Sequence, residues 1–195
     1  MDNIKIITKR FYLRNLTSND ATKEYLSWLS DVDIKKNIDR SNKKESDLVS
    51  LQKFIENANK KKDVNFKKHE EGLGKEYTDK LRNIYSTDLI KVLFLGIFDK
   101  DNNKHVGNIK FEPIDLKEKI AVMGILIGNS DYRGKGVFKE VFLATSEYLN
   151  NKFNISKIFL GLKKNNNNAL EAYKKFGFKI HKQTSKFIYM NVLIS

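Results

Sequence analysis

The chain has 195 residues, 40% hydrophobic and 31% charged, with 37 Lys and Arg against 24 Asp and Glu, a formal charge of +13 and no cysteine. That length supports one domain with a sizeable core, and the missing thiols exclude disulfides, thiolate zinc sites and cysteine nucleophiles while suiting a reducing compartment. The longest apolar run, Leu89 to Phe98, is broken by Lys91 and is too short to cross a bilayer, and Met1 to Arg10 has no apolar signal core, so a cytoplasmic protein without a membrane partner is expected.

The positive charge reads in two ways: as the footprint of an anionic partner, or as composition. Lysine far outnumbers arginine, asparagine and isoleucine are abundant, and the lysines are scattered through every segment. Nucleic-acid readers instead gather arginine and aromatics on one face. The expectation is therefore no nucleic-acid partner, with anion binding confined to one loop; a basic nucleic-acid-binding module stays as the rival from another class.

Phe11 to Leu16 alternates as a strand. Thr17 to Asp20 supplies helix-capping residues, and Tyr25, Trp28 and Leu29 recur at helical spacing up to Ser30-Asp31. A second helix is predicted over Ser46 to Asn59, with Leu48, Leu51, Phe54, Ile55 and Ala58 on its inner face. Residues Lys60 to Asp88 are polar and lysine-rich and read as a surface insert holding a short helix around Glu76 to Tyr85. Three strands follow, Leu89 to Phe98, His105 to Phe111 and Ile120 to Ile127, with Pro113 to Lys119 as a connection. The third is a β-branched apolar run that predicts burial on both faces. Val137 to Lys152 is an amphipathic helix, Ile155 to Leu162 a strand, Asn165 to Phe176 a helix stopped by Gly177, and Phe178 to His181 with Phe187 to Leu193 a closing pair of strands. Helices, a three-strand meander, then alternating helix and strand give a mixed α/β fold around one sheet.

Asp131-Tyr132-Arg133-Gly134-Lys135-Gly136-Val137 lies between the third strand and the amphipathic helix. Glycines there let the backbone turn tightly, and the loop amides, with the positive end of the helix dipole, can face a phosphate. His69, His105 and His181 fall in no motif; His105 flanks a turn and reads as polar surface. No carboxylate–histidine set has metal-ligand spacing, so no metal is expected.

Three pieces of the chain together resemble the GNAT superfamily of acyl-CoA-dependent N-acetyltransferases. They are Tyr25-Leu26-Ser27-Trp28-Leu29-Ser30-Asp31; Ile125-Leu126-Ile127-Gly128 followed by Tyr132-Arg133-Gly134-Lys135-Gly136-Val137; and Asn166 to Phe178 with Ala169, Leu170, Tyr173, Lys175, Gly177 and Phe178. The branch most like it holds ribosomal-protein alanine and amino-sugar acetyltransferases. The resemblance implies one GNAT-like domain over residues 1–195, with the insert at about 60–88 and a central, mostly antiparallel twisted sheet of about seven strands flanked by helices. It implies acetyl-CoA as donor, its pantetheine arm paired with the backbone of Ile125, Leu126 and Ile127. The diphosphate would lie on the amides of Arg133, Gly134, Lys135, Gly136 and Val137, with the Arg133 and Lys135 side chains assisting. Asn166 reads equally as a helix cap and as a cofactor contact. Tyr173 resembles the family's general acid, and equally fits a core aromatic.

Two positions depart from the family pattern. Phe138 stands where the loop usually has Gly or Ala, and its spacing with Phe142 turns it toward the core. Val122 stands where many relatives carry a strand glutamate. The chemistry still needs an acceptor for the ammonium proton. Glu112 is the candidate base, with Asp115 and Glu118 as fallbacks, and each also reads as a solvated edge charge. The resemblance points to a small primary amine as acceptor, most plausibly an amino sugar or its nucleotide conjugate, with Tyr25 and Trp28 as pocket or core residues. A protein N-terminus is the alternative, a catalytically degenerate acyl-CoA-binding module a third reading, and a homodimer stays open.

Overall fold

The computed structural model describes residues 4–37, 47–60 and 66–195. Eight strands form one sheet: β1 (Lys5–Ile7), β2 (Phe11–Asn15), β3 (Ile90–Asp99), β4 (His105–Asp115), β5 (Ile120–Ile127), β6 (Lys157–Lys163), β7 (Lys179–Gln183) and β8 (Phe187–Leu193), in the order β1-β2-β3-β4-β5-β6-β8-β7. The strand beyond the expected seven is β1, whose three residues bury only Ile6 and carry no readable period. All neighbours are antiparallel except β5 and β6.

That parallel pair positions everything else. It runs from Ile120↔Lys157 to Met123↔Leu160 and stops, while β5 continues beside β4 to Ile127 and β6 beside β8 to Lys163. The sheet therefore divides into two wings from Gly124 onward. The expectation that β5 is buried on both faces is corrected by this split: only Ala121 and Met123 are buried, and Gly124 is exposed. A strand that loses its neighbour at midlength also loses the packing that neighbour would bring.

Helices α6 (Val137–Phe153) and α7 (Asn167–Lys175) cover one face, around a core that includes Ile109, Phe111, Val141, Leu149, Ile158 and Met190. Helices α1 (Lys23–Ser30), α2 (Val32–Asn37) and α3 (Leu48–Asn57) cover the other, with Trp28, Leu51, Ile55, Phe94 and Phe98. Full burial of each such side chain contributes about 1.5–3 kcal/mol. The Thr17–Asp20 capping pair closes a 3₁₀ turn over Ser18–Asp20, and α1 takes a separate cap, Thr22, whose Oγ1 accepts from the Tyr25 amide at 3.1 Å. The predicted start of the second helix at Ser46 lies outside the described residues; Asp47 caps α3. The strand over His105 continues past Phe111 to Asp115 because a register shift between Phe111 and Ile114 absorbs Glu112 and Pro113, so the connection expected from Pro113 is shorter.

The insert carries two helices, α4 (Phe66–Leu73) and α5 (Lys75–Ile84), where one was predicted. They dock on the α1–α3 side of the sheet through three tyrosine–carboxylate bonds. Tyr77 donates to Asp115 at 3.0 Å, Tyr85 to Glu112 at 2.9 Å, and Tyr189 to Glu71 at 2.9 Å. Gly72 lies so close to the Tyr189 ring that a Cβ there would come within 2.7 Å of it.

Candidate active site

The glycine loop follows β5 directly. Gly134 and Gly136 have φ of 72° and 75°, the left-handed region that an L side chain enters at a cost of about 1–2 kcal/mol. This path aims the loop and the first turn of α6 outward. Among the described residues, the amides of Gly134, Gly136, Val137 and Phe138 have no hydrogen-bond acceptor, whereas that of Arg133 donates to Ser130 and that of Lys135 to Tyr132. Unpaired N–H groups thus gather at a helix N-terminus, and nothing lies within 4 Å of a Cβ placed on Gly134.

Arg133 sits differently from the expectation that its side chain assists the phosphates. Its guanidinium donates to the carbonyls of Ile127 (3.1 Å) and Gly128 (2.8 Å) and to Asp31 (3.0 Å), so its charge ties the loop to β5 and to the α1–α2 junction. The backbone N–H of Ile34 first, and Arg133 second, hold the Asp31 carboxyl below its ordinary value. Lys135 is exposed, and its carbonyl accepts from Arg10 at 3.0 Å. Arg10 also grips Glu140 in the first turn of α6, through its backbone N–H and through Nε at 2.8 Å. Trp28 braces the loop's beginning: a Cβ on Gly128 would lie 2.0 Å from its ring. Tyr25 and Trp28 are therefore core residues, 2% and 5% exposed. The bracing by Arg10, Glu140, Asp31 and Trp28 was missed by sequence reasoning, since contacts across more than a hundred residues leave no local spacing.

Ile125, Leu126 and Ile127 pair with β4 on one side and face the split on the other, so their β6-facing backbone groups have no strand partner. A linear molecule with amide groups can use such an edge. Asn166 caps α7, its Oδ1 accepting from the Ala169 amide at 3.2 Å. Phe138 turns into the α6–α7 contact, as its spacing with Phe142 predicts, with its ring 5.3 Å from Phe142 and Phe176 and 5.0 Å from Tyr173. Tyr173 sits among these rings. Burial pushes its phenol up to about 12, and its hydroxyl has no hydrogen-bond partner among the described residues.

The opposite side of the split belongs to the insert. Glu112 is held there with both oxygens engaged, one by the Tyr85 hydroxyl and the other by the Lys110 ammonium. Asp115 is fully buried, taking Tyr77 and the amides of Lys117 and Glu118. Val122, Phe159, Leu160 and Gly161 line a hollow of about 40 Å³ at the point where β5 and β6 part, closed by His69, Gly72 and Leu73 of α4 and by Tyr189. His105 is not polar surface: it is packed among Tyr25, Trp28 and Phe98 at 4.8–5.1 Å, and burial lowers its pKa.

A sheet that divides after Met123 and Leu160 and a glycine loop with free amides opening α6 stand next to each other along the chain. The family model for the acetyltransferase (GNAT) domain matches residues 10–179. The chain belongs to the GNAT family. A spermine/spermidine N(1)-acetyltransferase of Bacillus subtilis (strain 168) is 26% identical over 100 residues, 50% of this chain and 57% of that protein, so the chain spans little more than half the length of this curated relative. Three solved structures share the fold. A microcin self-immunity acetyltransferase, MccE, in complex with acetyl-CoA and AMP, has TM-score 0.66 and 15% identity, covering 95% of this chain and 93% of its own. FdhC, a nucleotide-linked sugar GNAT, gives 0.65 and 18%, over 98% and 90%. RimL, a ribosomal alpha-N-protein acetyltransferase, gives 0.66 and 11%, over 98% and 95%. The GNAT donor is acetyl-CoA, and the four free amides and the open β5 edge are groups suited to its diphosphate and its pantetheine amides. No helix among the described residues is long and apolar enough to cross a membrane.

Proposed function

We propose that this GNAT protein transfers an acetyl group from acetyl-CoA to a primary amine of a small, confined acceptor, with an amino sugar or nucleotide-linked amino sugar as the leading class. The observation that carries this reading is α4 and α5 lying over the acceptor side of the split, fastened by three tyrosine–carboxylate bonds. A protein N-terminus needs an open groove for an extended peptide; a covered face favours a compact acceptor. The relatives named above include both a sugar and a protein enzyme, and the fold they share does not separate them.

In this reading the amides of Gly134, Gly136, Val137 and Phe138 hold the diphosphate, with Lys135 adding charge at the rim. The backbone of Ile125 to Ile127 aligns the thioester. Tyr173 protonates the departing thiolate from the α6–α7 side. Its raised pKa keeps it protonated throughout the neutral range, and the same dry surroundings raise the basicity of the thiolate it serves. Glu112, its oxygens taken by Tyr85 and Lys110, helps to fasten the insert over the acceptor side.

The test is thiol release from acetyl-CoA with a panel of amino sugars, nucleotide-linked amino sugars, spermidine and short peptides. Turnover of sugars with peptides inert is the expected result. Turnover of peptides alone would overturn the acceptor class. Stabilisation by acetyl-CoA with no turnover of any amine would favour the degenerate binding module, and stabilisation by DNA alone would favour the nucleic-acid module.

A further inference from the structure

We infer that the acceptor bears a phosphate group, as a nucleotide-linked amino sugar does and a free one does not, and that a basic rim of Lys36, Lys163, Lys164 and Lys186 holds it. This rests on the amine-acetylation reading above and narrows its substrate class. The acidic residues of the chain are unevenly spread: residues 152–195 hold nine lysines and one acidic residue, Glu171, which is bonded to Lys174. Three of those lysines meet α2 at the open part of the fork. Lys163 stands three residues beyond Leu160, where β6 has left β5, about 10 Å along the strand. It shares a face of β6 with Gly161, and its Nζ donates to the Lys36 carbonyl at the end of α2, 2.8 Å away. The Lys164 amide donates to the Lys186 carbonyl at 2.9 Å, so these two residues lie side by side just past the end of β6. Lys36, Lys164 and Lys186 are exposed, and among the described residues their ammonium groups have no ion pair. β6 and β8 carry no carboxylate, and those at the α1–α2 end are Asp31, bonded to Arg133, and Asp33 in the first turn of α2. Phe187, the register partner of Lys163, sets a partly buried ring beside the rim.

Like charges gathered in this way repel one another, and a phosphate offers oxygens to several ammonium groups at once. A ring next to lysines also suits a nucleoside, whose base stacks on an aromatic face. The position of the rim points to the acceptor as the source of the phosphate. The free amides suited to the donor's diphosphate open α6, which covers the opposite face of the sheet. Lys36 belongs to α2, on the face that α1, α3 and the insert cover. A phosphate held there is a second one, on the acceptor side. A polyamine acceptor would meet like charge at the same place.

The experiment measures kcat/KM for one amino sugar, free and linked to a nucleoside diphosphate, in the wild type, in Lys163→Gln and in the Lys164→Ala/Lys186→Ala double variant. Gln keeps a donor for the Lys36 carbonyl while removing the charge. The wild type is expected to prefer the linked sugar by about 10-fold or more, a ratio within the range of one charged hydrogen bond. Both variants should lose most of that preference, with acetyl-CoA affinity by calorimetry and Tm unchanged. Added salt should erode it in the wild type, because exposed charges are screened. UDP, GDP or dTDP titrated into the CoA-bound protein should bind the wild type about 10-fold more tightly than the double variant. A free sugar turned over as well as the linked one, or a preference that survives in both variants, would overturn the inference and leave the amine-acetylation reading standing. Turnover of neither sugar would remove both. A loss that falls on acetyl-CoA affinity, and disappears when dephospho-CoA replaces CoA, would assign the rim to the donor's 3′-phosphate and overturn the inference as well.

Discussion

The two sides of the sheet are put together differently. On the α6–α7 side one dense core of Phe, Leu, Ile and Val carries the loop and the phenol, and the residues that matter lie within a short stretch of sequence, from Ile125 to Tyr173. On the opposite side the packing is assembled from α1, α3 and the insert, and polar bonds from tyrosine to carboxylate join pieces more than twenty-five residues apart. The first side is one continuous core and suits a constant donor. The second is modular, and modularity is what an acceptor site needs if acceptors are to change while the donor does not.

The comparison breaks most sharply at Trp28, which belongs to the second side and yet braces Gly128 on the first. Trp28→Ala is expected to cost about 3–5 kcal/mol of stability, as for other buried aromatics, and to weaken acetyl-CoA binding with it. Chemical unfolding and calorimetry on the same samples check this. Unchanged acetyl-CoA affinity would show that Arg133 and Arg10 hold the loop without Trp28.

Tyr173→Phe sharpens it from the other direction. Removal of the hydroxyl should lower turnover by about 10²-fold, worth about 2.7 kcal/mol, while acetyl-CoA affinity stays the same. Because burial pushes the Tyr173 pKa up to about 12, no alkaline fall in rate from this group is expected below about pH 10. Unaltered turnover would reduce Tyr173 to a core aromatic.

Gly136→Ala comes next. The left-handed backbone at φ 75° costs an L residue about 1–2 kcal/mol, so a modest fall in Tm is expected together with a larger fall in acetyl-CoA affinity. A fall in Tm with affinity unchanged would place the diphosphate elsewhere.

The first side was the legible one. A β-branched run, a basic glycine loop and an apolar helical stripe are local signals, and the strand–loop–helix placement follows from them. The second side was not. The α4 stretch, Phe66–Leu73, has two lysines, a histidine and two glutamates, so its composition reads as loop; it is helical because Gly72 and Glu71 dock on Tyr189, a residue more than a hundred positions away. His105 read as surface because it flanks a polar turn, but the cross-strand pairing places it opposite Phe98, where α1 covers it. Arg133 matched a phosphate-binding pattern by type and position, and only the fold shows its donors turned back onto Ile127, Gly128 and Asp31. The split itself leaves no trace in composition, since β5 stays apolar past the point where its partner departs.

The smallest effect expected is a pH dependence from His105. Its Nε2 lies 3.0 Å from the Gly107 carbonyl and 2.9 Å from Asn108 Oδ1, both acceptors, so that nitrogen bears the proton. Nδ1 is buried with no hydrogen-bond partner. A second proton would place an unmatched N–H and a charge among Tyr25, Trp28 and Phe98, and burial accordingly holds the pKa below 6.5. The unfolded chain takes up this proton near pH 6.5 and the folded chain resists it. Stability from this group is therefore complete above about pH 6.5 and falls as pH drops toward the lowered folded value. Asp20, Asp31 and Glu140 have depressed values, so their contributions hold above their ordinary range of 3.8–4.5 and fail below it, in a separate window. Between pH 7 and 5 the Tm of the wild type should drop by a few degrees, about 1 kcal/mol corresponding to 2–4 °C at this size. His105→Gln should flatten that slope, and an equal slope in both proteins would move the origin of acid sensitivity away from the α1 face.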